Sequence, residues 1–474
     1  MRRTKIVCTI GPASNSEEML RKLVKSGMNV ARLNFSHGSH AYHRETLDKL
    51  KKVRKAMEVP LAILLDTKGP EIRVREFENG PVELKEGEVF TLTTRDIKGD
   101  ASIVSVTYEG LPREVVPGNG ILIDDGNIEL AVEACSDTDV TCRVVRGGKV
   151  SDKKGINVPN VHLDMPFLSE QDKADILFGI ENDVDFIAAS FVRSKEDVIA
   201  MRKFVDYHGA RNTRIIAKIE NIEGVNNFDE ILQHCDGIMV ARGDMGVELE
   251  FERLPGLQKR FIKKCYQQGK MVITATQMLE SMIVQANPTR AEITDVANAV
   301  FDGTSAVMLS GETAMGKHPE LAVKVMARIV EQAERDAFEM DFYSGINYVT
   351  DASDTTNAVC DATCTTARDL NAKAVIVVTK SGQTARRMSK FRPGQPIVAA
   401  TPSEKTFHQL SLSWGVAPVL ARMQSSSDEL LLHAIDCAKQ IDVVVNGDIV
   451  VIAAGIPLDT PGSTNLMRVA VVGK

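Results

Sequence analysis

The sequence predicts an α/β protein whose main body is a closed (βα)8 TIM barrel, with a small β-barrel lid domain inserted into it and a separate C-terminal α/β domain. Three observations carry this prediction. Eight short runs rich in Val and Ile alternate with helical patterns. A stretch of alternating strands, punctuated by Gly and Asn, interrupts them. A further strand and helix pattern follows, and 474 residues suffice for about three domains.

The eight apolar runs are the expected barrel strands, at residues 5–11, 30–35, 61–67, 185–191, 214–220, 237–244, 271–277 and 306–312. In a parallel barrel the chemistry takes place at the carboxyl ends of the strands. The residues at those ends are mostly polar: Arg32, Asn34, Asp66, Ser190, Lys218, Glu220, Asp244, Thr276, Ser310 and Glu312. Few of them belong in a core for packing reasons, so we expect the active site at the barrel mouth.

The change of pattern along the chain predicts three domains. We expect residues 1–70 and 167–340 to form the barrel, domain A. Residues 71–166 form an all-β lid, domain B, and residues 341–474 form an α/β regulatory domain, domain C. Gly69-Pro70 and Pro166 are plausible hinges, so the inserted domain is expected to swing over the barrel mouth.

Composition excludes several classes of function. A net charge of -7 and a single Trp disfavour nucleic acid and anionic membranes as partners. The eight Cys contain no C-x-x-C pair, which argues against a zinc ribbon or a disulfide framework. The first residues read as a strand rather than a signal peptide, and no segment is long enough to span a bilayer. We therefore expect a cytoplasmic protein.

The run "IIAKIEN" places a cation and an anion on one face of a strand. Strand alternation puts Ile216, Lys218 and Glu220 on the same side. With Asp244 at the end of the next strand, two carboxylates and a lysine converge. Such a set suits Mg²⁺ or Mn²⁺, whereas Zn²⁺ would require His or Cys. The alternative is a structural ion network without a metal.

Two earlier runs, "ARLNFSHG" and "LLDTKGPEIR", supply further candidates. Arg32 and Asn34 face the barrel interior by alternation, and Arg is the usual clamp for phosphate or carboxylate. Taken alone, Arg32 could equally belong to a buried ion pair. Asp66 and Thr67 offer hard oxygen ligands for an alkali or alkaline-earth cation.

The loop "VVTKSGQTARR" follows a strand and precedes a helix. Backbone amides at a helix N-terminus, together with hydroxyls and a lysine, suit a phosphate group. The alternative is a well-capped turn. The candidate effector-binding residues are Thr379, Lys380, Ser381, Gly382, Gln383 and Thr384.

The motifs taken together resemble the pyruvate kinase family over nearly the whole chain. They are "TKIVCTIGP", "MNVARLNFSHG", "LLDTKGPEIR", "KGINVPN", "IIAKIEN", "DGIMVARGDMGVE", "ITATQMLESM", "PTRAEITDVANAV" and "DGTSAVMLSGETAMGKHP". The resemblance implies transfer of phosphate from phosphoenolpyruvate to ADP, giving pyruvate and ATP. It also implies dependence on Mg²⁺ (or Mn²⁺) and K⁺.

The resemblance assigns roles to matching residues. The Mg²⁺ ligands would be Glu220 and Asp244, and the K⁺ ligands would be Asn34, Ser36, Asp66 and Thr67, with Glu71 typical of potassium-dependent members. The catalytic residues would be Arg32, Lys218 and Thr276. Substrate would also contact the amides of Gly243 and Asp244, and nucleotide phosphates would contact Arg73 and Lys154. Thr276 or a water network near Ser310 would deliver the proton.

The resemblance also bears on regulation and assembly. It implies a homotetramer and an effector at loop 379–384. The last loop, "GIPLDTPGSTN", lacks the aromatic residue and Arg that help fructose-bisphosphate-responsive animal members, so AMP or a sugar monophosphate is an alternative effector. We expect a bacterial-type chain without the extra C-terminal domain of some relatives. Two rival functions are a metal-dependent barrel lyase or aldolase and a catalytically silent sensor of sugar phosphates.

Overall fold

The computed structural model describes residues 1–343, 354–424, 426–456 and 464–474. The chain begins with three parallel barrel strands and two helices: β1 (Lys5–Thr9), α1 (Glu17–Ser26), β2 (Val30–Asn34), α2 (His40–Met57) and β3 (Ala62–Asp66). Helix α1 begins where the Ser16 side chain accepts a hydrogen bond from Met19 N, and it ends at Gly27, whose φ is 122°.

The insertion after β3 is built from nine strands and one short helix. They are β4 (Ile72–Arg73), β5 (Val82–Leu84), β6 (Val89–Thr93), β7 (Ile103–Ser105), α3 (Leu111–Glu114), β8 (Gly120–Ile123), β9 (Ile128–Cys135), β10 (Asp139–Arg146), β11 (Gly148–Val150) and β12 (Gly155–Asn157). Seven strands form a sheet in the order β4-β12-β8-β9-β10-β6-β7. The two edge strands of this sheet are β4 and β7. The residues that directly follow them, Val74 and Val106, form an antiparallel bridge. The sheet therefore curls into a small barrel, as predicted.

The chain then returns to the main barrel. The remaining barrel strands are β13 (Phe186–Ala189), β14 (Arg214–Ile219), β15 (Gly237–Ala241), β16 (Met271–Ala275) and β17 (Ala306–Leu309). The helices are α4 (Glu170–Glu181), α5 (Lys195–Tyr207), α6 (Ile222–Asn226), α7 (Phe228–His234), α8 (Arg242–Glu248), α9 (Leu254–Gln267), α10 (Arg290–Phe301), α11 (Gly311–Ala314) and α12 (Pro319–Glu339). The eight strands close in the order β1-β17-β16-β15-β14-β13-β3-β2. This confirms the predicted parallel barrel.

Strand β14 shows how the barrel separates its two cores. Ile215, Ala217 and Ile219 are buried against the surrounding helices. Ile216 is buried with the residues that fill the barrel interior. The alternation therefore directs Lys218, which is two residues further on, into the barrel as well.

The C-terminal unit is a five-stranded sheet covered by helices. Its elements are α13 (Thr355–Asp369), β18 (Ala374–Val378), α14 (Gln383–Lys390), β19 (Ile397–Thr401), α15 (Glu404–Gln409), β20 (Val416–Leu420), α16 (Ser427–Gln440), β21 (Ile449–Ala454) and β22 (Leu466–Val471). The strand order is β20-β19-β18-β21-β22, and β22 alone runs antiparallel to its neighbour. An apolar cluster packs on each face of the sheet. The limits of the three domains at residues 70, 166 and 340 stay predictions. Within the described ranges, no helix is long and apolar enough to cross a membrane.

Candidate active site

The mouth of the barrel holds a buried pair between Arg32 of β2 and Asp66 of β3. Arg32 Nε donates to Asp66 Oδ2 at 2.6 Å, and Arg32 Nη1 donates to Thr9 Oγ1 at 2.9 Å. Burial opposes ionisation of Asp66, but the charges of Arg32 and Lys218 outweigh it, so its pKa lies below the ordinary value. The guanidinium is thus oriented by a permanent anion.

Lys218 lies at the centre of the mouth. Its Nζ donates to Ser190 Oγ at 2.7 Å and lies 3.1 Å from Asp66 Oδ1 and 2.9 Å from Glu220 Oε1. Burial disfavours the ammonium, but Asp66, Glu220 and Asp244 together overcome that cost and raise the pKa of Lys218. The site therefore holds a fixed positive charge that is largely shielded from water.

Glu220 and Asp244 are the predicted metal ligands, and their two negative charges repel each other. Glu220 Oε2 accepts a hydrogen bond from Phe191 N at 2.6 Å. Burial raises the pKa of Glu220; Lys218 opposes this shift, and the negative charge of Asp244 adds to it. Two neighbouring carboxylates whose repulsion a cation would relieve fit a divalent ion with oxygen ligands. The described residues contain no group of three or more His, Cys, Asp or Glu with metal-binding geometry. A metal held by these two carboxylates would complete its coordination with substrate oxygens and water.

Thr276 directly follows β16 in a backbone conformation that a β-branched residue rarely adopts, with φ at 70°. Its hydroxyl accepts a hydrogen bond from Gly243 N at 2.8 Å and donates to Ala275 O at 2.6 Å. The predicted substrate-binding residues Gly243 and Thr276 are therefore in contact, and the strained turn holds the hydroxyl against the start of α8.

Two residues that support these groups were not assigned roles from the sequence. Arg242 Nη2 donates to Thr276 O at 2.6 Å, and its Nη1 donates to Asp295 Oδ1 of α10 at 2.7 Å. Ser190, besides accepting from Lys218, donates to Thr67 O at 2.6 Å. The position of Arg242 inside the motif "ARGDMG", two residues before Asp244, was the signal that could have identified it.

The four predicted potassium ligands lie at the ends of two neighbouring strands, β2 and β3, or within two residues after them. Asn34 at the end of β2 is paired in register with Asp66 at the end of β3. Asn34 Oδ1 accepts from Ser36 N at 3.1 Å, and Thr67 Oγ1 accepts from Ser190 N at 3.1 Å. The structure thus brings an amide, a carboxylate and hydroxyl groups to one side of the mouth, a donor set that suits a hard monovalent cation.

The two predicted nucleotide contacts lie on the inserted domain. Arg73 Nη2 lies 2.6 Å from Glu71 Oε2, and Lys154 Nζ lies 2.7 Å from Asp124 Oδ1. Both cations line a cleft of about 590 Å³ between the insertion and the barrel, and Asp244 lines the same cleft. The cleft therefore connects the predicted nucleotide residues with the predicted metal site.

The predicted effector loop lies far along the chain, between β18 and α14. Gly382 takes a φ of 76°, its N donates to Thr379 Oγ1 at 3.0 Å, and α14 begins at the next residue, Gln383. Thr384 Oγ1 lies 2.7 Å from Thr464 Oγ1, which joins the loop to the chain before β22. Lys380 and Ser381 are exposed. The distinctive part of the last loop, residues 457–463, lies outside the described residues.

Comparisons with known proteins match this chain to pyruvate kinases along most of its length. A family model described as "Pyruvate kinase, barrel domain" matches residues 1–323, and one described as "Pyruvate kinase, alpha/beta domain" matches residues 357–470. The pyruvate kinase of Clostridium acetobutylicum is 48% identical over 473 residues and covers 100% of both chains. That of Staphylococcus aureus strain MRSA252 is 48% identical over 100% of this chain and 81% of its own.

A solved structure shares the fold. The crystal structure of a pyruvate kinase from Cryptosporidium parvum superposes with a TM-score of 0.92 at 39% identity, covering 99% of this chain and 96% of that chain. The family models, the two bacterial relatives and this structure confirm the resemblance found in the sequence motifs. The chain therefore belongs to the pyruvate kinase family of phosphotransferases.

Proposed function

We propose that the chain transfers the phosphoryl group of phosphoenolpyruvate to ADP, giving pyruvate and ATP, at the mouth of the barrel. The observation that carries this proposal is the buried ammonium of Lys218, set between Asp66 and Glu220 beside Arg32. Phosphoryl transfer depends mainly on positioning and on stabilising negative charge, and preformed cations in a dry site provide both.

Arg32 and Lys218 would act on the phosphoryl group itself. Arg32 is held by Asp66 and Thr9, so its remaining N–H groups can bind phosphoryl oxygens without a large loss of side-chain entropy. Lys218 would stabilise the charge that develops while the group moves between the two oxygens. Because both cations are already oriented, little reorganisation is needed during transfer.

Glu220 and Asp244 would hold Mg²⁺ or Mn²⁺, and Asn34, Ser36, Asp66 and Thr67 would hold K⁺. When bound, the divalent cation supplies Lewis-acid polarisation of the substrate oxygens and neutralises charge. Family membership supports this dependence on Mg²⁺ and K⁺. Lys218 Nζ lies 2.9 Å from Glu220 Oε1, so this carboxylate would serve both the ammonium and the divalent cation.

The final step gives pyruvate by adding a proton to carbon. The amides of Gly243 and Asp244 would hold the substrate carboxylate, and Thr276 would lie beside the enolate. The Thr276 hydroxyl is oriented by its donation to Ala275 O at 2.6 Å, and Gly243 N, which now donates to it, would turn to the substrate carboxylate on binding. It is our candidate for passing the proton, with a water network near Ser310 as the alternative route.

Arg73 and Lys154 would contact the phosphates of ADP when the inserted domain closes. Each now pairs with a carboxylate, Glu71 or Asp124, and would exchange that partner for a phosphate oxygen. Closure would exclude water from the cleft and prevent hydrolysis of the phosphoryl group. Two contacts already bridge the cleft. Asn157 Nδ2 donates to Glu248 Oε1 at 3.3 Å, and His162 Nδ1 lies 2.6 Å from Glu223 Oε1.

The same proposal extends to regulation and assembly. A phosphorylated metabolite, either a sugar phosphate or AMP, would bind the loop formed by Thr379, Lys380, Ser381, Gly382, Gln383 and Thr384. The amides at the start of α14 and the exposed Lys380 support binding of a phosphate there. We further propose a cytoplasmic homotetramer, in line with the family resemblance.

A lactate-dehydrogenase-coupled assay tests the reaction. Pyruvate formation from phosphoenolpyruvate should require ADP and Mg²⁺ and should be faster with K⁺ than with Na⁺. Fructose 1,6-bisphosphate, ribose 5-phosphate and AMP are added in turn, and the compound that lowers the KM for phosphoenolpyruvate identifies the effector class. Pyruvate release without ADP, or retro-aldol activity in its place, would contradict the proposal and favour a metal-dependent lyase.

A further inference from the structure

A short segment of the C-terminal unit lies between loop 379–384 and the amino-terminal end of the barrel. This segment, residues 404–412, comprises α15 and the 3-10 turn Leu410–Leu412, and we call it the wedge. Thr406 Oγ1 donates to Lys380 O at 3.0 Å. A Cβ atom on Gly382 would lie 2.7 Å from Arg386 Nη1 of α14, 3.0 Å from Thr406 Cγ2 and 3.2 Å from Leu410 Cδ2. The loop backbone therefore rests directly on the wedge.

The other side of the wedge holds the beginning of two barrel strands. Gln409 is 3% exposed, and its Nε2 donates to Asp185 O at 3.1 Å and to Asn212 O at 2.7 Å. Asp185 immediately precedes β13, and its carbonyl also accepts from Arg214 N, the first residue of β14, at 3.3 Å. One buried amide thus contacts the chain at the start of both strands.

The wedge also reaches into the barrel interior. Leu412 is fully buried in the same apolar cluster as Ile216 of β14. Ser411 Oγ donates to Asn29 O at 3.0 Å, just before β2. Protein interiors are close-packed, so a displacement of the wedge must be accommodated by these strands.

We propose that Gln409 is a positioning residue that couples loop 379–384 to the active site through β13 and β14. Strand β13 leads to Ser190, and β14 carries Lys218 and leads to Glu220, so a shift at the strand starts would change how these side chains meet the substrate. The regulatory meaning of this coupling rests on the proposed effector site. The coupling itself does not, since it can be measured without an effector.

A double-mutant cycle in the full-length enzyme with Mg²⁺ and K⁺ tests the coupling. Gly382→Ala adds a methyl group against Thr406 and Leu410 of the wedge, and against the flexible end of Arg386, at a residue with a φ of 76°. We expect it to change the KM for phosphoenolpyruvate about threefold, near the lower range for energetic coupling between distant sites. In a Gln409→Met background the same substitution should change that KM by less than about 1.5-fold.

A matched control separates coupling from general damage. Gln395→Met removes the bond from Gln395 Nε2 to Ala367 O, 3.3 Å long and inside the C-terminal unit. The Gly382→Ala effect should persist in that background. Thr406→Val, which removes the bond to Lys380 O, replaces Gly382→Ala if circular dichroism shows that the latter is unfolded. Additive effects in the cycle, or folded loop variants with an unchanged KM, would overturn the proposal.

Binding of an effector to loop 379–384 is tested by a separate measurement. Calorimetric titration with fructose 1,6-bisphosphate, ribose 5-phosphate and AMP should give the same dissociation constant for the wild type and Gln409→Met. Absence of binding by all three would count against the proposed effector site while leaving the result of the cycle standing. Activation of Gln409→Met to the same extent as the wild type would count against the coupling.

Discussion

Replacing Lys218 by methionine keeps an unbranched side chain that is one atom shorter and removes its charge. The lost ammonium lies 3.1 Å from Asp66 Oδ1, 2.9 Å from Glu220 Oε1 and 2.7 Å from Ser190 Oγ. Removing a single preorganised donor from a water-excluded site typically lowers kcat by about 10²–10³-fold. Because Lys218 contributes a full charge, we expect kcat to fall about 10³-fold or more.

The effect on stability should be smaller than the usual cost of breaking a buried ion pair. Removing one partner costs about 3–5 kcal/mol when the other charge is left without compensation. Asp66 would keep Arg32 at 2.6 Å, and Glu220 would keep Phe191 N at 2.6 Å. We therefore expect a loss of no more than about 3 kcal/mol in the free energy of unfolding.

Three measurements examine the Lys218→Met variant: the coupled assay, urea unfolding, and Mn²⁺ binding followed by electron paramagnetic resonance. Mn²⁺ should still bind, because Glu220 and Asp244 are unchanged. Lys173→Met is the control, since Lys173 pairs with Glu170 on the exposed side of α4. That control should retain the wild-type rate. A Lys218→Met enzyme with wild-type turnover would refute the role of this charge in transfer.

Three further predictions concern other parts of the molecule. Lys154→Gln should raise the KM for ADP at least several-fold and leave the KM for phosphoenolpyruvate unchanged, and equal effects on both would remove Lys154 from nucleotide binding. Lys380→Glu should abolish activation by the phosphorylated effector without changing kcat; persistent activation would relocate the effector site. Burial, reinforced by the charges of Arg54 and Lys405, lowers the pKa of His408 to about 3. In the unfolded chain this imidazole is protonated near pH 6.5, whereas in the folded chain it stays neutral. The free energy of unfolding should therefore fall by about 1.4 kcal/mol per pH unit as the pH is lowered from about 6 towards 3. His408→Asn should flatten that dependence in urea unfolding, and an unchanged slope would show that His408 is not its source.

The barrel and the contents of its mouth were predictable because they follow from local patterns. Each strand is a short apolar run, and alternation alone places Lys218 inside the barrel beside Ile216. The convergence of Arg32, Asp66 and Lys218 follows because the carboxyl ends of parallel barrel strands meet on one face. These predictions require only the alternation of side chains along each strand and the topology of the barrel. They do not require knowledge of how individual side chains pack.

Contacts made across long sequence separations were not predictable in this way. Ser190 accepts from Lys218 on β14 and donates to the carbonyl of Thr67, which follows β3. Gln409 reads as an ordinary polar residue of a short helix, yet it is buried against the barrel. Neither role leaves a periodic signal, because the first depends on side-chain packing between barrel strands and the second on how the C-terminal unit packs against the barrel.

Passage of the phosphoryl group from phosphoenolpyruvate to ADP at this barrel mouth can be observed directly. Phosphorus-31 nuclear magnetic resonance follows that group directly in a mixture of enzyme, phosphoenolpyruvate, ADP, Mg²⁺ and K⁺. We expect the phosphoenolpyruvate signal to be replaced by the γ-phosphate signal of ATP, at a rate that falls about 10³-fold or more in Lys218→Met. Appearance of inorganic phosphate without ATP, or equal rates in the two proteins, would contradict this expectation.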